Sequence, residues 1–272
     1  MRIIRFLDDQ QIERVGCPTG DGRAQILAGN IFSPESLVLT DEKAPVKRLL
    51  APIQPVNIFC IGLNYGEHAK EGGQPIPTNP VIFMKPTTAV IGPGEPIRLP
   101  AACADVPQVD YECELAVVIG RMGRDIPVDQ ALEYVLGYTC AVDVTARDKQ
   151  RTDLQWVRAK SADGFCPVGP WLETDVDPRD VGLRTVVNGQ VRQEARTSDM
   201  IFPVAEVLSY VSRFMTLNPG DLVLTGTPEG VGRLEVGDVI EVSVEGVGTL
   251  VNQVAAEEDA AAPVSDAGAE EG

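Results

Sequence analysis

The sequence predicts an α+β fold dominated by β-structure. Three observations carry this. Strand-length apolar runs recur between clusters of Gly, Pro and Asn, only two stretches keep helical spacing, and strands and helices do not alternate as in a doubly wound or barrel fold. At 272 residues the chain suits one large domain with a small addition.

Residues 1–50 alternate short apolar runs such as Ile3-Ile4 with turn residues, first Asp8-Asp9 and then Pro18 to Gly22. They predict a small β-rich N-terminal lobe. The main domain is expected over 51–255, with strands at 56–61, 80–86, 109–120, 137–146, 183–192, 221–226 and 237–254. Asn188-Gly189 predicts a type I′ hairpin turn. One helix is predicted over 127–138, where Val128, Ala131, Leu132, Val135 and Leu136 keep the i, i+3, i+4 spacing. A second is predicted over 202–215, with Val204, Val207, Leu208, Val211 and Phe214 as its stripe. Pro203 suits its first turn and Asn218-Pro219-Gly220 ends it. Residues 256–272 have no periodicity and almost no large apolar side chain, which predicts a solvated, disordered tail.

Charge narrows the function. There are 23 Lys and Arg against 40 Asp and Glu, a net charge of −17, and such a surface repels phosphate backbones. Ten of the acids lie between Leu234 and Gly272, a stretch with no Lys or Arg. The longest apolar runs, such as Leu115 to Ile119, fall far short of the ~20 residues that span a bilayer. The N-terminus turns acidic before a signal-peptide core forms. Nucleic-acid, membrane and secreted readings are set aside. Six cysteines without a CxxC pair read as small buried hydrophobes of a reducing compartment, so a cytoplasmic location is expected. With one histidine, His68, a multi-histidine zinc site cannot be built.

The stretch VDYECELAVVIG (109–120) is the most informative. On a strand, Asp110, Glu112 and Glu114 share one face, while Tyr111, Cys113, Leu115 and Val117 share the other. An isolated Glu-x-Glu is commonly just a solvated sheet face. Here Ala116 and Val118 continue the acidic face, so it becomes buried within a few residues. Like charges at the edge of a buried face are costly without a cation between them. Asp143, within the apolar run CAVDV, is equally awkward alone. Glu112, Glu114 and Asp143 are hard oxygen ligands that suit Mg²⁺ or Mn²⁺, with Ca²⁺ as a further option.

Seven blocks carry a family resemblance. They are GLNYGEHAKE (62–71), PVIFMKP (80–86), VDYECELAVVIG (109–120), GYTCAVDVTARDKQ (137–150), AKSADGFCPVGPW (159–171), TSDMIF (197–202) and LTGTPEGVG (224–232). The chain resembles the fumarylacetoacetate hydrolase superfamily, near its bacterial hydroxyheptadienedioate isomerases and acylpyruvate hydrolases. The resemblance implies a mixed β-sandwich roll with a catalytic domain over 51–255, and a homodimer. It implies a divalent cation on Glu112, Glu114 and Asp143, and a catalytic pair, His68 and Glu71, on a segment that orders over substrate. Lys85, Arg147, Gln150, Lys160 and Thr227 fall on positions that line the site in relatives. Where many relatives carry an acid-Gly-polar run before TSDMIF, this chain has Glu194-Ala195-Arg196. Arg196 is either a contact for a second substrate carboxylate or a plain surface residue.

The chemistry implied is hydrolytic C–C cleavage of a 3-acylpyruvate, a small anionic 2-oxo acid. Lys85, Arg147 and Lys160 are candidate sources of positive charge for such a substrate, and histidine is the side chain whose ordinary pKa lies near neutrality. Glu71, three residues on, can orient the His68 ring. Oxaloacetate decarboxylation and dienedioate isomerisation use the same enolate and stay open as alternatives. A Ca²⁺-stabilised binding module would explain the carboxylates but not His68 together with Lys160.

Overall fold

The computed structural model describes residues 1–103 and 108–257. The N-terminal strands are β1 (Arg2–Leu7), β2 (Glu13–Pro18), β3 (Arg23–Ala28), β4 (Val38–Pro45) and β5 (Arg48–Leu49). Then come β6 (Ile58–Gly62), helix α1 (Gly66–Glu71), β7 (Val81–Lys85), β8 (Val90–Ile91) and β9 (Ile97–Leu99). The carboxylate stretch gives β10 (Val109–Tyr111) and β11 (Cys113–Ile119), followed by β12 (Val135–Val142) and β13 (Thr145–Ala146). Two short helices, α2 (Arg147–Thr152) and α3 (Val157–Lys160), lead to β14 (Cys166–Glu173). The rest comprises β15 (Gly182–Val187), β16 (Gln190–Arg196), α4 (Val204–Phe214), β17 (Leu222–Leu224), β18 (Gly232–Arg233), β19 (Val239–Val244) and β20 (Gly248–Ala256).

The predicted β-rich α+β class is what forms. One large mixed sheet runs β4-β3-β2-β1-β14-β12-β11-β17-β6-β7, with β5 added to β1 and β8 to β14. A five-stranded sheet, β16-β15-β19-β20-β9, packs over it, and a three-stranded sheet, β13-β10-β18, stands at one end. The N-terminal strands are part of the large sheet, because Arg2 and Ile3 of β1 pair with Glu173 and Leu172 of β14. Strand β11 is buried on both faces. Leu115, Val117 and Ile119 join the core shared with the five-stranded sheet and α4, whereas Ala116 and Val118 join the core beneath the N-terminal strands. Alternation along one strand therefore feeds two cores.

The helix expected over 127–138 is a 3₁₀ turn at Val128–Tyr134 that passes straight into β12. Sheet pairing overrides the helical spacing there. Val135 pairs with Ile119, and Gly137 lies so close to β14 that a Cβ would meet the Glu173 carbonyl oxygen at 2.6 Å. The predicted strand 109–120 is broken at Glu112, and its two halves belong to different sheets. The long 237–254 run is a hairpin, β19–β20. The Asn188-Gly189 turn has φ of 50° and 77°, as a type I′ turn requires. Ala256 ends β20 and Glu257 accepts the Ala101 N–H, so order extends past the expected start of the tail. Residues 258–272, the remainder of that tail, lie outside the described residues. All six cysteines are free, and five are buried.

Asn64, fully buried after β6, ties the site-bearing connections together. Its Nδ2 donates to the carbonyls of Phe202 (3.0 Å) and Thr225 (2.7 Å), and its Oδ1 accepts the Phe202 N–H (2.8 Å). Replacing it with Ala strips partners from three backbone groups, so Asn64→Ala is expected to cost about 3 kcal/mol in denaturant unfolding. A loss under ~1 kcal/mol would mean that these groups find other partners.

Candidate active site

Strand pairing builds the carboxylate cluster. Cys113 pairs with Val142, and the next pair outward is Glu112 with Asp143, whose N–H donates to the Glu112 carbonyl (2.8 Å). Directly opposed residues bring their Cβ atoms to about 5 Å. Glu114 lies two residues along, on the buried face with Ala116 and Val118. Carboxylate oxygens of Glu112, Glu114 and Asp143 all lie within 4.8 Å of one another, and all three side chains are buried.

Lysines and an arginine surround two of these acids. Lys160 Nζ reaches Glu112 Oε2 (2.9 Å), Asp143 Oδ2 (2.5 Å) and Thr145 Oγ1 (2.7 Å). Lys85 Nζ pairs with Asp143 Oδ1 (2.7 Å) and donates to the carbonyls of Phe165, Val144 and Lys160. Arg147 bridges Asp110 Oδ2 and Glu112 Oε1, both at 2.7 Å. Burial alone would raise the Glu112 pKa, but Lys160 and Arg147 outweigh it and hold the carboxyl well below the usual range. The same attractions outweigh the desolvation of Lys160 and Arg147 and raise both.

Glu114 is the exception. Its partner is a backbone N–H, that of Gly226, which donates to Oε2 at 2.5 Å. Gly226 must be glycine, because its φ is +98° and a Cβ would lie 2.6 Å from the Asn64 Cβ. No cation pairs with Glu114 among the described residues. Burial, Asp143 and Glu112 together push its carboxyl well above the normal range. A buried carboxylate without a counter-charge is what a divalent cation would relieve. Three hard oxygen donors beside an unpaired charge fit such an ion, so the cluster could hold a divalent cation.

A cavity of about 680 Å³ opens over Glu112. His68, Glu71, Arg147, Gln150 and Lys160 line it. His68 Nδ1 lies 3.4 Å from Glu71 Oε2, and the Glu71 carboxylate also accepts the Gly230 N–H, which ties α1 to the loop after β17. Gln150 Oε1 accepts from Arg147 Nη1 (2.9 Å). Two expected lining residues are elsewhere. Lys85 is buried beneath Asp143, where it neutralises charge. The Thr227 hydroxyl is buried and accepts from Gln193 Nε2 (2.8 Å). Arg196 belongs to a separate surface hollow, paired with Asp180 (2.5 Å) and Glu245 (3.2 Å), so it is a surface ion-pair residue.

The structure adds residues that the sequence reading left unassigned. Asp110 anchors Arg147. Trp156 and Phe83 form an edge-to-face wall, with ring centroids 5.3 Å apart and Lys160 Nζ 5.0 Å from the Phe83 ring. Leu63 lines the cavity with φ +56°, a conformation that costs a bulky residue energy and marks functional sites. An aromatic in the polar run TDLQWVRAK was the available signal for Trp156.

The orphaned Glu114 gives a signed pH prediction. The metal-free native state binds a proton there more tightly than the unfolded chain, so its stability falls as pH rises from about 4.5 through the raised value. In chelator at pH 8, Glu114→Gln is expected to melt higher than wild type, with the gap closing at or below pH 4.5. With Mn²⁺ added, wild type should gain stability and the variant should not. A variant that melts lower than wild type in chelator would show that Glu114 is not the strained group.

Comparison with known proteins agrees with this architecture. A Mycobacterium smegmatis structure described as 5-carboxymethyl-2-hydroxymuconate delta-isomerase superposes with a TM-score of 0.86 at 46% identity, covering 94% of this chain and all of that one. Fumarylpyruvate hydrolase from Pseudomonas aeruginosa, solved with Mn²⁺ and pyruvate, gives a TM-score of 0.69 at 36% identity, over 80% of this chain and 93% of that one. The mitochondrial oxaloacetate tautomerase fahd2 of Xenopus laevis is 44% identical over 219 residues, 76% of this chain and 68% of that protein. Residues 57–255 match the fumarylacetoacetate hydrolase C-terminal domain, and the chain belongs to that family.

Proposed function

We propose that this chain is a divalent-metal-dependent hydrolase that cleaves the C–C bond of a 3-acylpyruvate, a small anionic 2,4-dioxo acid. The observation that carries this reading is the His68–Glu71 pair, lining the same cavity as Glu112. Mg²⁺ or Mn²⁺, held by Glu112, Glu114 and Asp143, would supply Lewis acidity that lowers the energy of enolate charge.

The side chains have separate tasks. Glu71 on the Nδ1 side of His68 favours the tautomer whose Nε2 lone pair is free to accept a proton. That nitrogen takes a proton from water, and the hydroxyl adds to the distal acyl carbonyl. The bond between the acyl carbon and C3 of the pyruvate unit breaks, leaving its electron pair on the pyruvate enolate. The proton then returns to C3, giving pyruvate and a carboxylic acid. Arg147 keeps spare N–H donors beyond its contacts with Asp110, Glu112 and Gln150 and would face the substrate carboxylate. Lys160 offsets the charge of Glu112 and Asp143, while Trp156 and Phe83 shield that wall from water.

A second reading, keto–enol tautomerisation of an oxaloacetate-like acid, is favoured by the name of the Xenopus relative. It needs proton transfer but no hydrolytic water. The test compares wild type and His68→Ala on an acylpyruvate and on oxaloacetate at saturating Mg²⁺. Acylpyruvate hydrolysis is expected to fall ~10²–10⁴-fold, and metal-driven oxaloacetate decarboxylation much less. Glu71→Gln should be a milder version of His68→Ala. Wild type that leaves acylpyruvates intact while tautomerising oxaloacetate would replace the first reading with the second.

A further inference from the structure

We propose that Gln193 is a positioning residue that sets the proposed ligand Glu114 and the base-orienting Glu71 in one frame, through a loop that both acids grip. The assignment rests on the proposed function for the roles of those two acids. Ladder pairing between the carboxylate stretch and the chain after β17 stops at Ala116–Leu224 and resumes at Tyr111–Gly232. Residues 112–115 thus face residues 225–231, four against seven, and the surplus forms a bulge. Two N–H groups of this bulged loop go to acids of the site. Gly226 donates to Glu114 Oε2 (2.5 Å), and Gly230 donates to both oxygens of Glu71 (3.2 Å each).

Gln193, on β16 and 1% exposed, bridges the gap that the bulge opens. Its Nε2 donates to Thr227 Oγ1 and to the Pro228 carbonyl, both at 2.8 Å, between the two donating glycines. Its Oε1 accepts the Cys113 N–H (3.1 Å) and the Thr185 hydroxyl (3.0 Å). A primary amide offers two donors and two acceptor lone pairs, and here all four are used. Cys113 lies between Glu112 and Glu114, so this side chain fastens the loop to the backbone of the carboxylate strand itself. The loop ends are tied separately. Thr225 Oγ1 donates to the Leu115 carbonyl (2.8 Å), and the Tyr111 hydroxyl donates to the Gly230 carbonyl (3.2 Å). Gln193 ties the middle, and so fixes the separation at which the Gly226 and Gly230 N–H groups are presented. Groups that orient a metal ligand from one contact away typically carry about 10–100-fold in metal affinity or activity.

Two variants separate positioning from plain support. Gln193→Met keeps the volume and removes all four bonds, whereas Thr227→Val removes one bond to the loop and leaves Cys113 and Thr185 paired. Mn²⁺ is titrated calorimetrically into each chelator-treated protein well below its melting temperature. Gln193→Met is expected to bind Mn²⁺ ~10–100-fold more weakly than wild type, and Thr227→Val more weakly by a smaller factor. The Glu71 end is read by a double-mutant cycle on kcat for an acylpyruvate, at Mn²⁺ concentrations that saturate every variant. Gln193→Met alone should lower kcat ~10-fold or more, with KM little changed. Added to Glu71→Ala, it should lower kcat by less than ~2-fold further, because its effect passes through Glu71. A role confined to stability would lower the melting temperature, leave Mn²⁺ affinity unchanged and make the two kcat losses multiply. Unchanged affinity, multiplying losses, or a wild type that binds no Mn²⁺ would each overturn the assignment. Should Gln193→Met fail to fold, Thr227→Val carries the same comparisons. Weaker Mn²⁺ binding by the variants, beside a wild type that leaves acylpyruvates intact, would support Gln193 in its role and remove only the proposed reaction.

Discussion

The site depends on one electrostatic constraint: three carboxylates must be kept together where water cannot screen them. Glu112 and Asp143 face each other one step beyond the last rung of the β11–β12 ladder, and Glu114 follows on the same buried face. Lys85 and Lys160 neutralise two of the three charges from opposite sides of Asp143. The third is held by a glycine N–H and by no cation among the described residues. Burying like charges is unfavourable unless compensated, and partial compensation leaves a defined demand for positive charge. That demand is the physical basis for reading the cluster as a metal site.

Much of the surrounding fold serves this arrangement. The parallel pairing of β17 with β6 delivers Gly226 to Glu114 on one side and Asn64 to Thr225 on the other. The antiparallel β6–β7 pair carries Lys85 under Asp143. Short α2 and α3 bring Arg147 and Lys160 back over the same acids. Above them, His68 and Glu71 stand on α1, whose attachment to Gly230 joins this pair to the loop that also supplies Gly226.

The β-rich class, the α4 helix and the Asn188-Gly189 hairpin were legible because each rests on local signals. The carboxylate triad was legible because Glu114 continues into Ala116 and Val118, which can only be a buried face. Other features depend on register and close approach, which local patterns do not encode. The helical spacing of Val128 to Leu136 was genuine, but pairing of Val135 with Ile119 outweighed it. Lys85 matched a position that lines the site in relatives, yet its strand carries it beneath Asp143. Thr227 turns toward Gln193 for the same kind of reason. Arg196 is removed from the site because β16 lies in the five-stranded sheet, where Asp180 and Glu245 claim its charge.

The central claim is that Glu112, Glu114 and Asp143 form one divalent-cation site completed by the charge Glu114 lacks. Calorimetric titration of Mn²⁺ into chelator-treated protein, repeated in two buffers of different ionisation enthalpy, addresses it most directly. Binding of one ion per chain with release of protons is expected, because a carboxyl held above its normal range must ionise to become a ligand. Absence of binding, or full-affinity binding by Glu114→Gln, would contradict the account.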